Sequence, residues 1–441
     1  MPRTFHIVTL GCKVNQYESA FLEAELLKAG WVKAGPGERA DVAIVNTCIV
    51  TQRAAHQSRQ AIGKVIRENP DGMVAATGCY AQVVPNELSK IQGIGLIAGN
   101  TIKGNLPELL VTAERRGPQA IVSRDFDSKM PFEFLPLRRF PGRSRAYVKI
   151  QDGCQSFCSY CIVPLARGPY RSLPPARVLS QIESFAKEGY KEIVLTGIHL
   201  GKYGVDLKED MGLNRLLRAI GREGLPLRIR LSSLEPNEID DDTIEMVASE
   251  GWLCQHFHIP LQSGDDRILR RMNRNYTARQ FGKLVESIFS RSPLAAIGVD
   301  VMAGFPGEDT AAHENSWSLI KDLPVSYLHV FPFSPRTGTA ASTFDGKVNP
   351  PLIKKRAAEL RELGQEKRSA FYKACLKKEF LVLAERWHSQ ENGMMKGMSD
   401  NYVPVLFPSA QDLKGELIPV RMERVERNVV IGSTGETGQH S

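Results

Sequence analysis

The segment CQSFCSYC, residues 154–161, constrains the fold and chemistry of this chain more than any other stretch. Its cysteines are spaced C-x3-C-x2-C and follow a strand-like run at residues 146–150, so three thiolates share one loop. We call them the loop triplet. Three thiolates at this spacing suit three corners of a [4Fe–4S] cluster and leave the fourth iron open. A zinc knuckle would need a fourth ligand at knuckle spacing, which the segment lacks.

The composition indicates a globular protein in a reducing compartment. The chain has 441 residues, enough for two to three domains, and its 42% apolar and 24% charged residues exclude a disordered or fibrous protein. No long apolar run or signal-peptide core is present, so we expect a cytoplasmic protein with no membrane partner. Eight cysteines then favour metal binding or catalysis over disulfides. The net charge of +8 permits a nucleic-acid partner without requiring one.

The first third of the chain alternates apolar runs with amphipathic segments. Strands are predicted at residues 5–10, 41–46, 73–77 and 95–99, and helices at 18–28 and 51–68. This alternation predicts an α/β domain over residues 1–130, built on a doubly wound parallel sheet.

Three further cysteines, Cys12, Cys48 and Cys79, each follow the end of one predicted strand. We call them the strand-end triplet. The carboxyl ends of parallel strands share one edge of a sheet, so these thiols are expected to converge. Together they could hold an iron–sulfur cluster with one iron open. Three independent buried thiols are the alternative. A closed zinc site would need His56, which is expected on a helix surface.

A basic segment, residues 131–144, is predicted to link two domains. It contains Arg138, Arg139 and Arg143, with Arg145 just beyond it. A solvated linker and a phosphate-contacting strip both explain these charges.

Strand-like segments recur after the loop triplet, with helices between them. They lie at residues 192–196, 227–231, 256–259, 297–301 and 326–331, and with 146–150 they make six βα units. The segment CQSFCSYC resembles the signature of the radical S-adenosylmethionine superfamily, whose partial (β/α)6 barrel would span residues 145–371. Active sites of such barrels lie at the carboxyl ends of the strands. The resemblance implies S-adenosylmethionine contacts there, at Tyr160, Gly197, Ser233, Glu235, Gln262, Ser263 and Asp300.

Six other potential ligands are expected to be structural. They are His199, His256, His258, His329, Cys254 and Cys375.

The last part of the chain predicts a helix and a small β-barrel. The helix covers residues 351–380, and short strands are predicted at 380–384, 402–407, 417–421 and 428–432. The barrel, residues 372–437, resembles the TRAM domain, a nucleic-acid-binding module. Its acids and bases balance, so its overall charge does not by itself indicate RNA binding.

The order of these features resembles the radical S-adenosylmethionine methylthiotransferases along nearly the whole chain. The segments TLGCKVNQYES at 9–19, VNTC at 45–48 and QDG at 151–153 resemble the MtaB type, and Lys13-Val14 is the main reason for preferring it. That type converts N6-threonylcarbamoyladenosine at position 37 of tRNA into its 2-methylthio derivative. Sister types act on N6-isopentenyladenosine of tRNA or on an aspartate of a ribosomal protein.

The resemblance implies two [4Fe–4S] clusters and S-adenosylmethionine as cofactors, with tRNA and an external electron donor as partners. The loop triplet would hold the cluster that generates a radical and removes the unactivated hydrogen at C2 of adenine. The strand-end triplet would hold the cluster that carries the sulfur, and a second S-adenosylmethionine would donate the methyl group. Both clusters must then face one cavity, which predicts that the carboxyl edge of the N-terminal sheet packs over the barrel mouth.

Two alternatives belong to other functional classes. One is a small-molecule radical enzyme whose first domain binds an auxiliary cluster. The other is a redox or regulatory protein that uses its clusters as sensors.

Overall fold

The computed structural model describes residues 2–112, 119–127, 129–208 and 211–435. Its first part is a parallel sheet in the order β2-β1-β3-β4-β5-β6. The strands are β1 Thr4–Thr9, β2 Val32–Lys33, β3 Val42–Thr47, β4 Met73–Gly78, β5 Ile94–Ala98 and β6 Ala120–Val122. The helices are α1 Lys13–Lys28, α2 Gln52–Glu68, α3 Cys79–Val83, α4 Pro85–Leu88 and α5 Leu106–Thr112. The predicted α/β class is confirmed.

The strand order places the three strand-end cysteines on adjacent strands. β3 and β4 are buried along their whole length, as in a parallel sheet covered on both faces. The chain direction across the sheet reverses between β1 and β3, and ligands of open α/β sheets bind at such switch points. Cys12 follows β1, Cys48 follows β3 and Cys79 follows β4.

Helix α1 begins five residues before its predicted start at residue 18. The apolar pattern misses its first turns because Asn15 and Glu18 are buried polar residues. Their burial depends on partners distant in sequence, so the helix periodicity is visible only in the folded chain.

Six parallel strands form the central barrel, in two sheets of order β11-β10-β7 and β12-β13-β14. The strands of this part are β7 Ala146–Lys149, β8 Gln151–Asp152, β9 Arg171–Ser172, β10 Glu192–Thr196, β11 Arg228–Leu231, β12 His256–Gln262, β13 Ala296–Ala303 and β14 Tyr327–Pro332. The helices are α6 Val163–Arg167, α7 Pro175–Lys187, α8 Leu213–Arg222, α9 Asp241–Ser249, α10 Asp266–Arg271, α11 Ala278–Arg291, α12 Thr310–Asp322 and α13 Pro350–Ala374. A parallel bridge pairs Ile229 of β11 with Leu253, three residues before β12 begins.

The C-terminal part is a closed five-stranded barrel in the order β15-β16-β17-β19-β18. Its strands are β15 Glu379–Ser389, β16 Met394–Ser399, β17 Pro404–Pro408, β18 Leu417–Glu426 and β19 Val429–Thr434. Helix α13 ends at Ala374, before its predicted end at residue 380, and Phe380 lies in β15, as the strand predicted at 380–384 has it. The last two residues of the predicted range 372–437 lie outside the described residues.

Strand β16 was not predicted, because its sequence MMKGMS lacks the β-branched and aromatic residues that mark strands. Gly397 in this strand is required by packing: an added Cβ would lie 2.4 Å from the carbonyl oxygen of Leu383. A close approach of two backbones thus explains a glycine that reads as a strand breaker in the sequence.

The C-terminal barrel docks on the central barrel through buried arginines. Arg228 donates to the carbonyl oxygens of Leu381 at 2.7 Å and Met398 at 3.0 Å. Arg230 donates to the carbonyl oxygen of Asp400 at 2.8 Å, and both arginines bind the fully buried Glu192. Several guanidinium donors of these two arginines therefore have their acceptors in the C-terminal barrel.

The basic segment is engaged within the protein. Arg145 binds Glu192 at 3.0 Å and also pairs with Glu385, and its side chain is only 11% exposed. Arg139 pairs with Glu188 at the surface. Arg145 is therefore part of the domain contact, which removes it from a phosphate-contacting strip.

No helix within the described residues is both long and apolar enough to span a membrane.

Candidate functional site

The loop triplet lies in a tight loop that the antiparallel pair β8 and β9 closes at its base. The Cys154 amide donates to the carbonyl oxygen of Gly168 at 2.9 Å, and the Cys161 amide donates to that of Cys158 at 2.9 Å. These backbone bonds hold the three thiols on one loop.

Gly153, immediately before the triplet, makes this loop possible, and replacing it by alanine is expected to distort it. Its φ is +80°, and an added Cβ would stand 1.7 Å from the carbonyl oxygen of Pro169. The backbone would have to move, so we expect the free energy of unfolding to fall by about 1–3 kcal/mol. The iron content after reconstitution should fall as well. Chemical unfolding and iron analysis check both results.

Gly142→Ala is the matched control. Gly142 also has a positive φ, +71°, but beyond its two chain neighbours no atom of the described residues lies within 4 Å of an added Cβ. We expect a cost of about 1 kcal/mol and an unchanged iron content. Equal losses in both variants would show that backbone conformation alone, and not the contact with Pro169, explains Gly153.

Two basic side chains approach the thiols of the loop triplet. The Nδ1 atom of His199 lies 3.5 Å from Cys154 Sγ, and Nη1 of Arg274 donates to Cys158 Sγ at 3.3 Å. Burial acts to raise the pKa of Cys154, but hydrogen bonds with His199 and Ser156 together outweigh it, and the pKa lies below its ordinary value. Burial raises the pKa of Cys161 to about 12. Positive donors beside thiol sulfurs suit thiolate ligands of a metal cluster.

Carboxylates hold these two basic side chains in place. Glu238 lies 2.8 Å from Nε2 of His199, and Glu235 binds Arg274. Glu235 is among the predicted S-adenosylmethionine contacts, His199 was expected to be structural, and no sequence pattern pointed to Arg274. Arg274 is 116 residues from Cys158 in sequence, so no local pattern could have linked them.

The other predicted S-adenosylmethionine contacts lie on the cysteine loop or at barrel strand ends. Tyr160 is part of the loop, and Gly197 follows β10. Gln262 ends β12 with a φ of +63°. Ser263 is fully buried, with its hydroxyl 3.4 Å from that of Ser316. Their contacts to the cofactor remain predictions.

A polar cluster connects strands β12, β13 and β14. Asp300 Oδ1 lies 2.6 Å from Nε2 of His258 and 3.2 Å from Nδ1 of His329, and Ser233 Oγ lies 3.2 Å from Nδ1 of His258. Burial acts to raise the pKa of Asp300, but the bonds with both imidazoles outweigh it and lower the pKa. The three ligand atoms of His258, Asp300 and His329 lie within 4.8 Å of one another, a spacing that could hold a metal ion.

The strand-end triplet converges at the carboxyl edge of the N-terminal sheet. An added Cβ on Gly11 would lie 3.0 Å from Cys48 Sγ. Burial and the neighbouring Cys79 raise the pKa of Cys48 to about 12. None of these thiols forms a disulfide within the described residues, so the three suit the thiolate corners of a cluster. His56 is exposed on α2.

Arg167 links the helix that follows the loop triplet to the strand-end triplet. It ends helix α6, which follows the loop triplet, and its side chain is 1% exposed. Its Nε donates to Cys79 Sγ at 3.3 Å, and Nη2 donates to Asn15 at 2.6 Å and to Glu18 at 3.2 Å. The prediction that the carboxyl edge of the N-terminal sheet packs over the barrel mouth is confirmed by these contacts.

Glu18 is the anion at the centre of this junction, and it should make the fold sensitive to acid. Lys103 at 3.6 Å, Lys149 at 3.5 Å and Arg167 surround its carboxylate. Burial acts to raise the pKa of Glu18, but these cations outweigh it and hold the pKa at about 2, against an ordinary value of 4.5. The resulting stabilisation is present above pH 4.5 and is lost as the pH falls toward about 2.

We therefore expect the free energy of unfolding to decline across that pH window, and Glu18→Gln to remove part of the decline. Urea unfolding at a series of pH values measures it. Glu188→Gln, which breaks a surface ion pair, is the control and should leave the pH dependence unchanged. Parallel curves for Glu18→Gln and the unaltered protein would contradict this role.

Known proteins are similar to this chain over most of its length. Family models match residues 4–99, the uncharacterized protein family UPF0004, and residues 148–316, the Radical SAM superfamily. The threonylcarbamoyladenosine tRNA methylthiotransferase MtaB of Aquifex aeolicus is 37% identical over 398 residues, 90% of this chain and 95% of the relative. The chain belongs to the MtaB-type methylthiotransferases. The MtaB-type enzyme of Bacillus subtilis is also 37% identical, over 95% of this chain and 93% of the relative.

Two more distant likenesses place this methylthiotransferase among its neighbours. The tRNA-2-methylthio-N(6)-dimethylallyladenosine synthase of Natranaerobius thermophilus is 32% identical over 96% of this chain and 94% of the relative. The radical S-adenosylmethionine methyltransferase TsrM from Kitasatospora setae superposes with a TM-score of 0.57 at 16% identity, covering 78% of this chain and 77% of that one. At that identity the likeness to TsrM shows the fold alone.

This methylthiotransferase is a radical S-adenosylmethionine enzyme, and its family implies one [4Fe–4S] cluster and S-adenosylmethionine. The loop triplet fits such a cluster, because its three free thiols share one loop and have basic donors at two of the sulfurs.

Proposed function

We propose that this enzyme converts N6-threonylcarbamoyladenosine at position 37 of tRNA into its 2-methylthio derivative. The observation that carries the proposal is the contact of Arg167, which follows the loop triplet, with Cys79 of the strand-end triplet. Two cluster-type sites at one junction suit a reaction that must both remove a hydrogen and insert a sulfur at one carbon. The 37% identity to enzymes named for this substrate supports the choice of base.

The cysteines have distinct roles in this proposal. The loop triplet holds the first cluster and the strand-end triplet holds a second [4Fe–4S] cluster. When bound, these groups and S-adenosylmethionine supply the one-electron chemistry that an unactivated C–H bond requires. Around them, His199 and Arg274 hold hydrogen bonds to the loop thiols, and Arg167 binds Cys79 and orients the junction.

The surrounding assignments follow from the same proposal. S-adenosylmethionine contacts Tyr160, Gly197, Ser233, Glu235, Gln262, Ser263 and Asp300. The functional units are residues 1–130 for the second cluster, 131–144 as linker, 145–371 for the radical chemistry and 372–437 for tRNA. An external electron donor reduces the first cluster, and the enzyme acts in the cytoplasm.

Two opposed cations on the C-terminal barrel provide a binding surface for tRNA. Arg386 and Lys396 lie directly opposite each other on the antiparallel strands β15 and β16. Like charges at opposed positions repel, and a phosphate between them would relieve that repulsion. Replacing both residues by alanine is expected to weaken tRNA binding about tenfold and to lower the salt dependence of binding by one to two phosphate contacts, roughly.

Fluorescence anisotropy with labelled tRNA at several salt concentrations measures both effects. Arg424→Ala is the control, because its guanidinium already donates to Glu426 at 2.7 Å. Unchanged tRNA affinity in the double variant would contradict the assignment of this surface. Deleting the whole barrel would be a poorer test, since it would leave the buried donors of Arg228 and Arg230 without their carbonyl partners.

Nucleoside analysis tests the substrate. A strain that lacks the gene, and has no paralogue, should lose 2-methylthio-N6-threonylcarbamoyladenosine from its tRNA and accumulate the unmethylthiolated nucleoside. Mass spectrometry of digested tRNA measures both. Persistence of the 2-methylthio nucleoside, or loss of 2-methylthio-N6-isopentenyladenosine instead, would overturn the proposed substrate.

A further inference from the structure

Arg336 carries a guanidinium edge that the protein leaves unused. It lies four residues after β14 ends, at the carboxyl side of the central barrel, and its side chain is only 8% exposed. Its Nε and Nη2 atoms are both buried and have no hydrogen-bond partner among the described residues. These two nitrogens form one edge of the planar guanidinium, the edge that binds a carboxylate through two parallel hydrogen bonds.

The segment that carries Arg336 is folded onto the loop triplet. The amide of Ala341 donates to the carbonyl oxygen of Ser159 at 2.7 Å, and an added Cβ on Gly338 would lie 3.5 Å from Leu165. Within the segment, Thr339 binds the carbonyl oxygen of Arg336 through its amide at 3.0 Å and its hydroxyl at 2.8 Å. The backbone of Arg336 is therefore fixed, while its charged end is not.

The guanidinium of Arg336 lies close enough to Cys48 of the strand-end triplet to interact with it electrostatically. Cys48, Tyr80 and Arg59 are its ionisable neighbours. The Tyr80 hydroxyl already accepts from Arg59 at 2.7 Å and donates to Glu87 at 2.8 Å. No carboxylate of the described residues pairs with Arg336. Its buried guanidinium could therefore bind an anion beside the proposed second cluster.

Two other arginines at the junction already have hydrogen-bond partners within the protein. Arg167 binds Cys79, Asn15 and Glu18, and Arg274 binds Cys158 and Glu235. Burying a charged group without partners is unfavourable, so a protein that keeps one has a use for it when a ligand binds. Among the arginines that the structure describes, Arg336 is the one whose two-pronged edge is both buried and unpaired.

We infer that Arg336 binds the carboxylate of the threonylcarbamoyl group on the substrate base. This inference rests on the proposed function and adds the residue that sets specificity for the acidic substituent. The N6-isopentenyl substituent has no carboxylate, and it would leave the edge of Arg336 unpaired. A site whose buried polar group would be left unpaired rejects the wrong substrate strongly. An apolar pocket discriminates much less between two similar substrates.

The test uses the reconstituted enzyme with two anticodon stem–loop RNAs that carry N6-threonylcarbamoyladenosine, one as the free acid and one as its methyl ester. Both RNAs present identical phosphates. The unaltered enzyme should prefer the acid. In Arg336→Gln, we expect KM for the acid to rise about 30-fold or more while KM for the ester changes little. Arg336→Lys keeps the charge but loses the two-pronged edge, so it should restore part of the preference.

Arg59→Gln is the matched control, because it removes a neighbouring charge whose guanidinium already has a partner. It should preserve the preference for the acid. Iron content and the electron paramagnetic resonance spectra of the variants report whether the clusters are intact. An equal loss for acid and ester in Arg336→Gln would overturn the inference and indicate a phosphate or cluster contact. An unaltered enzyme that ignores both RNAs but modifies N6-isopentenyladenosine would overturn the proposed function itself, and this inference with it.

Discussion

Replacing all three cysteines of the loop triplet by alanine is expected to abolish the formation of 5′-deoxyadenosine from S-adenosylmethionine. The protein should keep the strand-end cluster, so iron should fall from about eight to about four atoms per chain after reconstitution. The two basic side chains at the loop cannot replace three thiolates, because the guanidinium of Arg274 has no metal-ligating atom and His199 offers only one imidazole. Iron analysis and chromatography of the reaction products measure the two effects.

Cys254→Ala is the control for this prediction. Cys254 is a buried free thiol that belongs to neither triplet. Its variant should keep all of the iron and its rate of 5′-deoxyadenosine formation. If the triple variant retained full iron content, the loop triplet could not be the ligand set of a cluster.

The second large effect is expected at Arg167. Its removal would leave Glu18 and Cys79 without the guanidinium that binds both, at a junction where the side chains of Arg167 and Glu18 are buried. Breaking a buried ion pair by removing one partner costs about 3–5 kcal/mol. We therefore expect Arg167→Met to lower the free energy of unfolding by about that amount, with Arg167→Lys intermediate because lysine lacks the planar fork.

Anaerobic urea unfolding of the cluster-free protein measures this effect without the contribution of iron. Arg139→Met is the matched control, since Arg139 is 79% exposed and pairs with Glu188 at the surface. Surface pairs contribute about 0–1 kcal/mol, so this variant should unfold almost like the unaltered protein. Equal stabilities for Arg167→Met and Arg139→Met would show that the junction does not depend on Arg167.

Much of the site could be predicted from the sequence, because one geometric rule predicts which distant residues come together. Residues that follow parallel strands meet at one edge of a sheet, and this rule brought Cys12, Cys48 and Cys79 together from positions spread over the first domain. The loop triplet needed only its spacing. The pattern of apolar residues likewise predicted the six barrel strands, because a short apolar run can be recognised without knowing the rest of the chain.

The parts that escaped prediction depend on partners far away in sequence. The first turns of helix α1 were not predicted because Glu18 is a buried charge there. Arg167 and the lysines of the junction make that burial possible by pairing with it. Arg145 does not belong to a phosphate-contacting strip, because in the folded chain it forms ion pairs with Glu192 and Glu385. Such long-range ion pairs leave no periodic pattern, so the buried charges were the least predictable feature of the site.

One measurement tests most directly the central claim that both cysteine triplets serve one base. The reconstituted enzyme is given an anticodon stem–loop RNA that carries N6-threonylcarbamoyladenosine, together with reductant and S-adenosylmethionine, and the products are identified by mass spectrometry. The unaltered enzyme should form the 2-methylthio nucleoside. A variant with Cys12, Cys48 and Cys79 replaced by alanine should still cleave S-adenosylmethionine to 5′-deoxyadenosine but form none of that nucleoside. Formation of the 2-methylthio product by this variant would contradict the claim.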